Sequence, residues 1–479
     1  MKQKTLFRNI LGFVFLALMT LTFSWNFITL IKDFKYTVFI EAIFFLIFVI
    51  GIVLLVKRFI ISYPVQCFFI FLIALVIRII WILNVSTIPV SDFNLIYQAS
   101  LDWVKGDMTF INTPYFKNWS YQLGYTWFQS IIIRIFGEGF IAIKVINCIL
   151  SSITCLVIFI TAKKLFGSSV AIIAGLLTAT DIGLVSMCSV LTNQHIAILL
   201  FYFAFYILIS YEDKKYMWIV AGVVAALGNL MRPIGIVVLT AVIVYSLFFT
   251  CSRKLFDRHV LIKIGIFLFT YIVVGFLISR IFIFSGITEE PLGNRNPLWK
   301  FITGLNYETK GRYSDADLEY LSGYKSSDER IEREKQLIIE RITSFEKLPE
   351  LFKDKYKIMW VNMDYTVNWS IHNTEPSQKH FFGFSKEKFY AIVLGIDKSV
   401  YTVGLLLTFI GSIYILFFNK SPHNGIYLYM LVILIYIFIH LFIEIQPRYR
   451  LFILPGIYIM SSSGIKFLSN FKDDDILIK

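Results

Sequence analysis

The sequence predicts an all-α polytopic membrane protein with about twelve transmembrane helices, and three observations lead there. First, the chain is 57% hydrophobic and only 16% charged, whereas a soluble domain carries about 25% charged residues. One water-soluble core cannot bury that much apolar surface. Second, the apolar residues fall into repeated runs near the roughly 20-residue length that crosses a bilayer. Third, much of the formal charge of +13 sits in short turns between runs: Lys57-Arg58, Lys163-Lys164, Lys214-Lys215 and Arg253-Lys254. Basic residues in short loops mark the cytoplasmic side. They are not the continuous basic patch that nucleic acid requires, so no nucleic-acid partner is expected.

Taken in order, the runs lie near 9–31, 37–56, 61–84, 141–160, 168–187, 193–210, 217–231, 234–251, 260–283, 397–418, 425–444 and 450–468. The first follows Lys2, Lys4 and Arg8 without an Ala-x-Ala cleavage site, so it reads as a retained span rather than a signal peptide. The pair at 217–251 is broken at "NLMRPIG", because proline cannot continue the helical hydrogen-bond ladder. With the N-terminus in the cytoplasm, the basic turns and the tail "FKDDDILIK" all fall inside. Lys32 and Lys35 fall outside and run against the pattern.

The expected organisation is an N-terminal hairpin over 1–60, a transmembrane core over 61–283 and an extracytoplasmic loop domain over 284–396. C-terminal spans and a short tail follow over 397–479. Within the core, a first outer loop covers 85–140. It contains Asp92 and a half-apolar piece, "YQLGYTWFQSIIIRIFG", which reads as an amphipathic helix lying in the interface. In the loop domain, "SSDERIEREKQLIIERI" predicts a helix, with Ser326 and Glu329 spaced as a capping box. Cys67, Cys148, Cys155, Cys188 and Cys251 lie in or beside apolar runs with no metal or disulfide spacing, so they read as small membrane hydrophobes.

Under this topology the notable polar residues gather at one end of the spans. Asp92 follows the third run, and Asn193, Gln194 and His195 lie between the fifth and sixth. Arg232 sits at the turn after the seventh, and Arg448, Tyr449 and Arg450 open the last. Charged groups at membrane depth face a cavity or a partner. Each also has a plainer reading. Asp92 could cap the helix "FNLIYQASLDWV"; the arginines could snorkel to headgroups; His195 could be a structural polar residue. Glu444 could pair with a nearby arginine. Arginine's planar fork nonetheless fits phosphate oxygens in two-point contact, whether of a headgroup or of a lipid-phosphate substrate.

Asp92 after an outward-going span, then "DWVKGD", "YQLGYTWFQSIIIRIFG" and "AKKLFG", together resemble the GT-C membrane glycosyltransferases. The resemblance is to the protein O-mannosyltransferase and aminoarabinose (lipid A) transferase branch, in its bacterial members. "LGNLMRPIG", "NPLWKFITGLNYETKGRYSDAD" and "QPRYRLFILP" resemble that group's basic outer turn, large-loop start and last-span motif. The likeness covers about residues 61 to 470. It implies a sugar donor on a polyprenyl phosphate, used at the outer face of the cytoplasmic membrane. By position it implies a catalytic Asp92 and lipid-phosphate contacts from Arg232, Arg448, Tyr449 and Arg450. The acceptor would be a glycan, a glycolipid or a protein.

In that group the acidic loop residue serves the acceptor or a metal, which makes a divalent cation the candidate cofactor. Three departures count against it: Phe93 replaces a second acid, Asn193-Gln194 replaces another, and Tyr121-Gln122 replaces a proline pair. Hard cations prefer carboxylates. Tyr97, Lys117, Trp119, Tyr121, Tyr125, Asn193, Gln194, His195 and Trp369 are candidate substrate contacts, the tryptophans as sugar-stacking platforms. The expected chemistry is one inverting displacement with Asp92 as base. The rival classes are a lipid-linked sugar flippase, for which Arg78 inside a span speaks, and a non-catalytic scaffold.

Overall fold

The computed structural model describes residues 2–59, 61–250, 256–323 and 327–469. Cys251, the Arg253-Lys254 turn, Ser326 of the capping box and the tail beyond 470 lie outside the described residues. Every predicted run is helical, but the spans are not alike. Seven stretches are long and apolar enough to cross a membrane: Gln3–Lys32, Thr37–Arg58, Tyr63–Asn84, Phe140–Phe166, Arg258–Phe284, Lys386–Phe418 and Gly425–Phe442. An eighth is a bent pair, Ser168–Thr180 and Ile182–Ser189, at 49°. Gln194–Ser210, Lys215–Met231 and Gly235–Phe249 are shorter apolar helices. The last run starts later than expected: Pro447–Phe452 is a tight 3-10 turn, and the α-helix proper is Leu454–Leu468.

The bend has a local cause. Asp181 leaves the helix with ψ at 115°, and its Oδ1 accepts from the Leu184 amide at 2.8 Å. The residue therefore caps a new helix instead of continuing the old one. Its other oxygen accepts from Tyr458 at 2.6 Å, which ties the bend to the Leu454–Leu468 helix. That helix is the axis of the bundle. Close approach there depends on small residues. A Cβ at Gly464 would strike the Leu407 backbone, and one at Gly411 would strike Ser463 and the Gly464 amide. Helices without a water-driven force between them pack by such backbone proximity.

The helix Lys2–Arg58 contains the first two runs. Phe7 stacks on Phe248, at the end of Gly235–Phe249 remote from Arg232. Shortly after the helix ends, Tyr63 stacks on Phe159, at the end of Phe140–Phe166 remote from the first outer loop. Both ends of Lys2–Arg58 thus lie at the same end of the bundle. Its middle reaches the other end, where Ser399 donates to the Val38 carbonyl at 3.2 Å and Thr402 contacts Asn26 at 3.3 Å.

Arg78, the charged residue inside a span, is fully buried and saturated. Its guanidinium donates to Ser151 at 2.8 Å and to the carbonyls of Ala74, Ala179 and Thr178 at 3.0, 3.0 and 3.2 Å. It holds the break at Thr180 by donating to the carbonyls of Thr178 and Ala179, which lie where the helix ends. All of its donors are spent inside the protein, the remaining one on Cys155 Sγ at 3.5 Å.

The segment after Phe284 forms a small helical layer over one end of the bundle. Its helices are Trp299–Gly304, Asp315–Ser322, Ser327–Ile342 and Leu348–Tyr356. Trp299, Ile302, Leu321 and Leu337 make its core. Arg341 grips Asp317 with two nitrogens at 3.0 and 2.7 Å. The layer is sewn to the bundle through main-chain contacts: Glu444 donates to the Lys300 carbonyl at 2.7 Å and Ile445 to the Gly311 carbonyl at 2.8 Å. Gly304 sits so close to Phe442 and Ile443 that no Cβ fits there.

Candidate functional site

Between that layer and the bundle lies a cavity of about 1120 Å³. Asp92, Arg232, Lys300, Arg448, Tyr449 and Trp369 all line it, from five separate stretches of chain. Long-range folding has brought them together, since nothing local in the sequence does.

Asp92 enters from the helix Ser91–Lys105, whose first turn it occupies. It is not the cap: the position before the helix is Val90, with no side-chain cap bond. The chain reaches Asp92 through Ser91 at φ +51°, a left-handed conformation that costs a non-glycine residue about 1 kcal/mol or more. Among the described residues the Asp92 carboxylate has no hydrogen-bond or ion-pair partner, although it is half-buried. A carboxylate held in a cavity without a partner is available to a ligand.

Phe93, the next residue, fixes the wall beside it. Its ring meets Trp369 edge-on, with centroids 5.3 Å apart. The Arg448 guanidinium lies against both rings, 4.8 Å from Phe93 and 4.6 Å from Trp369. Only 9% of Arg448 is exposed, and its Nε has no hydrogen-bond partner among the described residues. Two aromatic faces thus hold a cation by cation–π attraction and leave its donors unspent.

A second cationic group surrounds Tyr449. Arg232 lies 5.0 Å from the ring centroid, and its Nη1 reaches Asn193 Oδ1 at 3.4 Å. Asn193 is itself held by a 2.8 Å bond to the Met231 carbonyl. On the same ring, Lys300 sits 5.9 Å from the centroid, with its ammonium 3.5 Å from the Tyr449 hydroxyl. Lys300 is ion-paired with Glu444. The expected pairing of Glu444 with an arginine is therefore corrected: Lys300, from the loop layer, takes the carboxylate.

The electrostatics follow from this crowding. Burial pushes the Glu444 carboxyl up, but Lys300, Gln446 and Arg448 outweigh it and hold it below the ordinary carboxylate value. Burial opposes charge on Lys300 too, yet Tyr449 and Glu444 keep it protonated. Burial and the Asp92 carboxylate push the Tyr115 hydroxyl well up, so it stays a neutral donor facing the cavity.

The Glu444 shift gives a pH prediction. Its folded pKa lies below the unfolded value near 4.5. The pair's contribution is therefore complete above that pH and is lost as pH falls through the folded value. Glu444→Gln should destabilise the protein by about 1–3 kcal/mol near neutrality. The gap between wild type and variant should narrow at pH values below about 4. Thermal unfolding of both proteins in detergent, at neutral and acid pH, measures it; a gap that widens on acidification contradicts the pairing.

The other expected site residues divide. Trp119, Tyr121 and Tyr125 line the cavity with Asp92. Tyr97 does not: it packs on Phe140, centroids 5.0 Å apart, within an apolar cluster. Lys117 is exposed outside the cavity. Gln194 acts from behind, donating to the Arg448 carbonyl at 3.1 Å, and His195 is buried away from the cavity with 2% exposed. Arg450 is the clearest displacement. It is 2% exposed, and its nitrogens hold the carbonyls of Met359 at 2.7 Å and Asn362 at 3.2 Å. Its charge faces Asp364 at 3.7 Å. In the tight turn Pro447–Phe452, residues two apart cannot share a face. Arg448 therefore faces the cavity while Arg450 points into protein.

Sequence reasoning passed over Lys300, Tyr115, Tyr313 and His440, which also line the cavity. For Lys300 the only available signal was its place in the "NPLWK" stretch. No group of three or more His, Cys, Asp or Glu converges among the described residues. The two carboxylates in the cavity are Asp92 and Glu444, and the second is spent on Lys300. That donor set does not fit a hard divalent cation, which needs several oxygen ligands.

The solved structure of an archaeal oligosaccharyltransferase, AglB from Archaeoglobus fulgidus, in complex with an inhibitory peptide and a dolichol-phosphate, aligns at 12% identity with a TM-score of 0.43. The alignment covers 85% of this chain and 51% of that one, so the chain spans about half the length of that relative. ArnT from Cupriavidus metallidurans, bound to undecaprenyl phosphate, aligns at 11% identity with a TM-score of 0.39, covering 83% of this chain and 77% of that one. No curated protein sequence matches. Residues 122–278 match the family described as dolichyl-phosphate-mannose-protein mannosyltransferase, and over that segment the resemblance to the GT-C membrane glycosyltransferases is borne out.

Proposed function

We propose that the protein is a membrane glycosyltransferase that moves a sugar from a polyprenyl-phosphate donor to an acceptor hydroxyl. Its cavity would open at the outer face of the cytoplasmic membrane, with both termini in the cytoplasm. The acceptor is a glycan, glycolipid or protein, in modification of a bacterial cell-envelope glycan or glycopolymer. One observation carries the proposal: a single cavity is lined both by an unpartnered carboxylate, Asp92, and by the cations Arg232, Lys300 and Arg448.

Asp92 accepts the proton of the acceptor hydroxyl as its oxygen attacks the anomeric carbon. The bond from that carbon to the phosphate oxygen breaks, and polyprenyl phosphate departs on the opposite face. A single displacement inverts the anomeric centre. The leaving group is already a weak base, so it needs charge stabilisation and not protonation. Arg232 and Lys300, arranged around Tyr449, supply it, with Arg448 nearer to Asp92's wall. No step requires a metal.

The experiment is transfer by the purified protein, reconstituted with a labelled polyprenyl-phosphate sugar and a panel of hydroxyl acceptors. The expected result is free polyprenyl phosphate together with labelled acceptor. Intact donor that merely crosses the bilayer would identify a flippase and sink the proposal.

A further inference from the structure

The cavity wall that carries Glu444, Arg448 and Tyr449 is irregular over 443–446 and then a single tight turn. It runs from the end of the helix Gly425–Phe442 to the turn Pro447–Phe452. A segment of that kind has little hydrogen-bond ladder of its own, and a donor phosphate met by Arg232, Lys300 and Arg448 needs them at a fixed spacing. Two buried basic side chains hold this segment, one near each end.

Lys355 lies below the first part. It is 1% exposed, burial pushes its pKa down to about 7, and its Nζ donates to carbonyls: Gly304 at 2.6 Å, Leu441 at 2.7 Å and Ile443 at 2.9 Å. Leu441 and Ile443 end the helix, where carbonyls lack intrahelical partners and a cation is favoured. Gly304 ends the helix that carries Lys300. One side chain therefore ties the Lys300 helix to the root of the wall. The fit is tight: Gly311, at φ +77°, passes so close that a Cβ there would lie 2.6 Å from Lys355 Cε. Arg450 holds the second part through Met359 and Asn362. Both tethers meet one stretch, 355–364, which includes the π-helical turn Lys357–Val361. That stretch is itself anchored, since Tyr401 donates to the Trp360 carbonyl at 2.8 Å and Lys398 to the Val361 carbonyl at 2.7 Å.

We propose that Lys355 and Arg450 are positioning residues: paired side-chain-to-carbonyl tethers that set the separation of Lys300 from Arg448 and Tyr449 and so tune the cavity to the donor phosphate. The proposal rests on the glycosyl-transfer function for its kinetic test, but not for its binding test. Neither tether touches substrate.

The kinetic test is a double-mutant cycle. Lys355→Met and Lys300→Met should each lower kcat/KM for the donor by about 10–100-fold. Residues that act through one another are not additive. The double variant should therefore lose little more than Lys300→Met alone. Multiplied losses would overturn the proposal, because a merely structural lysine weakens the fold independently of Lys300. Arg450→Lys keeps the charge but loses the fork that reaches two carbonyls, and it should raise donor KM more than it lowers kcat. If Lys355→Met does not fold, Arg450→Lys alone decides. Failure of both to fold would also overturn the proposal, since the tethers would then support the whole chain. The binding test uses undecaprenyl phosphate alone and reads tryptophan fluorescence, because Trp119, Trp299 and Trp369 line the cavity. Each tether variant should bind it about tenfold more weakly. Weakened binding with no sugar transfer by wild type would keep the tethers and reject the transferase; unchanged binding would reject the tethers.

Discussion

Asp92→Asn should abolish most sugar transfer while leaving the protein folded. The expected loss in kcat is roughly 10²–10⁴-fold, the usual contribution of a positioned general base. Asparagine has nearly the same shape and cannot take the acceptor proton. The stability side of the prediction follows from the site. The Asp92 carboxylate caps no helix and has no partner among the described residues, so its replacement breaks no native bond. Donor KM should change little, because the proposed mechanism gives the donor phosphate to Arg232, Lys300 and Arg448 and not to Asp92. Most substitutions of a half-buried charged residue cost stability and activity together; here the two should separate. Steady-state kinetics beside a thermal melt measures both. Undiminished transfer by a well-folded Asp92→Asn variant would remove the base role, and a variant that loses its fold would make Asp92 structural after all.

Asp92 and Arg232 were legible in the sequence because each interrupts or follows an apolar run, and membrane burial makes such residues conspicuous. The all-helical class was legible for the same reason. The break at Asp181 was not: "LTATDIG" sits inside an otherwise apolar run, and hydropathy averages over one aspartate. Its signal was the capping residue before a glycine, which a window of bilayer length smooths away. Arg450 stands outside the cavity although "RYR" reads as one motif. A tight turn separates its two arginines onto different faces, and only the three-dimensional path of Pro447–Phe452 reveals it. Lys300 was invisible for another reason. It sits in a nearly neutral, polar stretch, and its partner Glu444 is far away in the chain. Pairing across such separation leaves no mark in a single sequence. Tyr97, Lys117 and His195 came from proximity in sequence to real cavity residues, and a helix puts such neighbours on other faces.

Arg448→Met should lower kcat/KM for the donor by roughly 10²–10³-fold, comparable to removing one preorganised donor from an oxyanion site. The geometry explains the size. Arg448 is nine-tenths buried, clamped between Phe93 and Trp369, and its Nε is unspent. The desolvation of its charge is already suffered in the free protein, so a developing phosphate charge gains the interaction without reorganisation. Arg448→Lys separates charge from shape. Lysine retains the cation but lacks the planar fork and stacks less well on two rings. It should restore less than half of the lost free energy, leaving a defect of about tenfold or more. Trp369→Ala tests the clamp from its other side: losing one cation–π face worth about 1–2 kcal/mol should cost about 5–30-fold. Combined with Arg448→Met, it should cost little more than Arg448→Met alone, since the tryptophan would act through the arginine. If Trp369→Ala instead multiplies the Arg448→Met defect and raises KM for the sugar donor, the ring contacts sugar directly. Full activity in Arg448→Lys would show that only charge is read at this position, and the two-ring clamp would then be packing without a catalytic part.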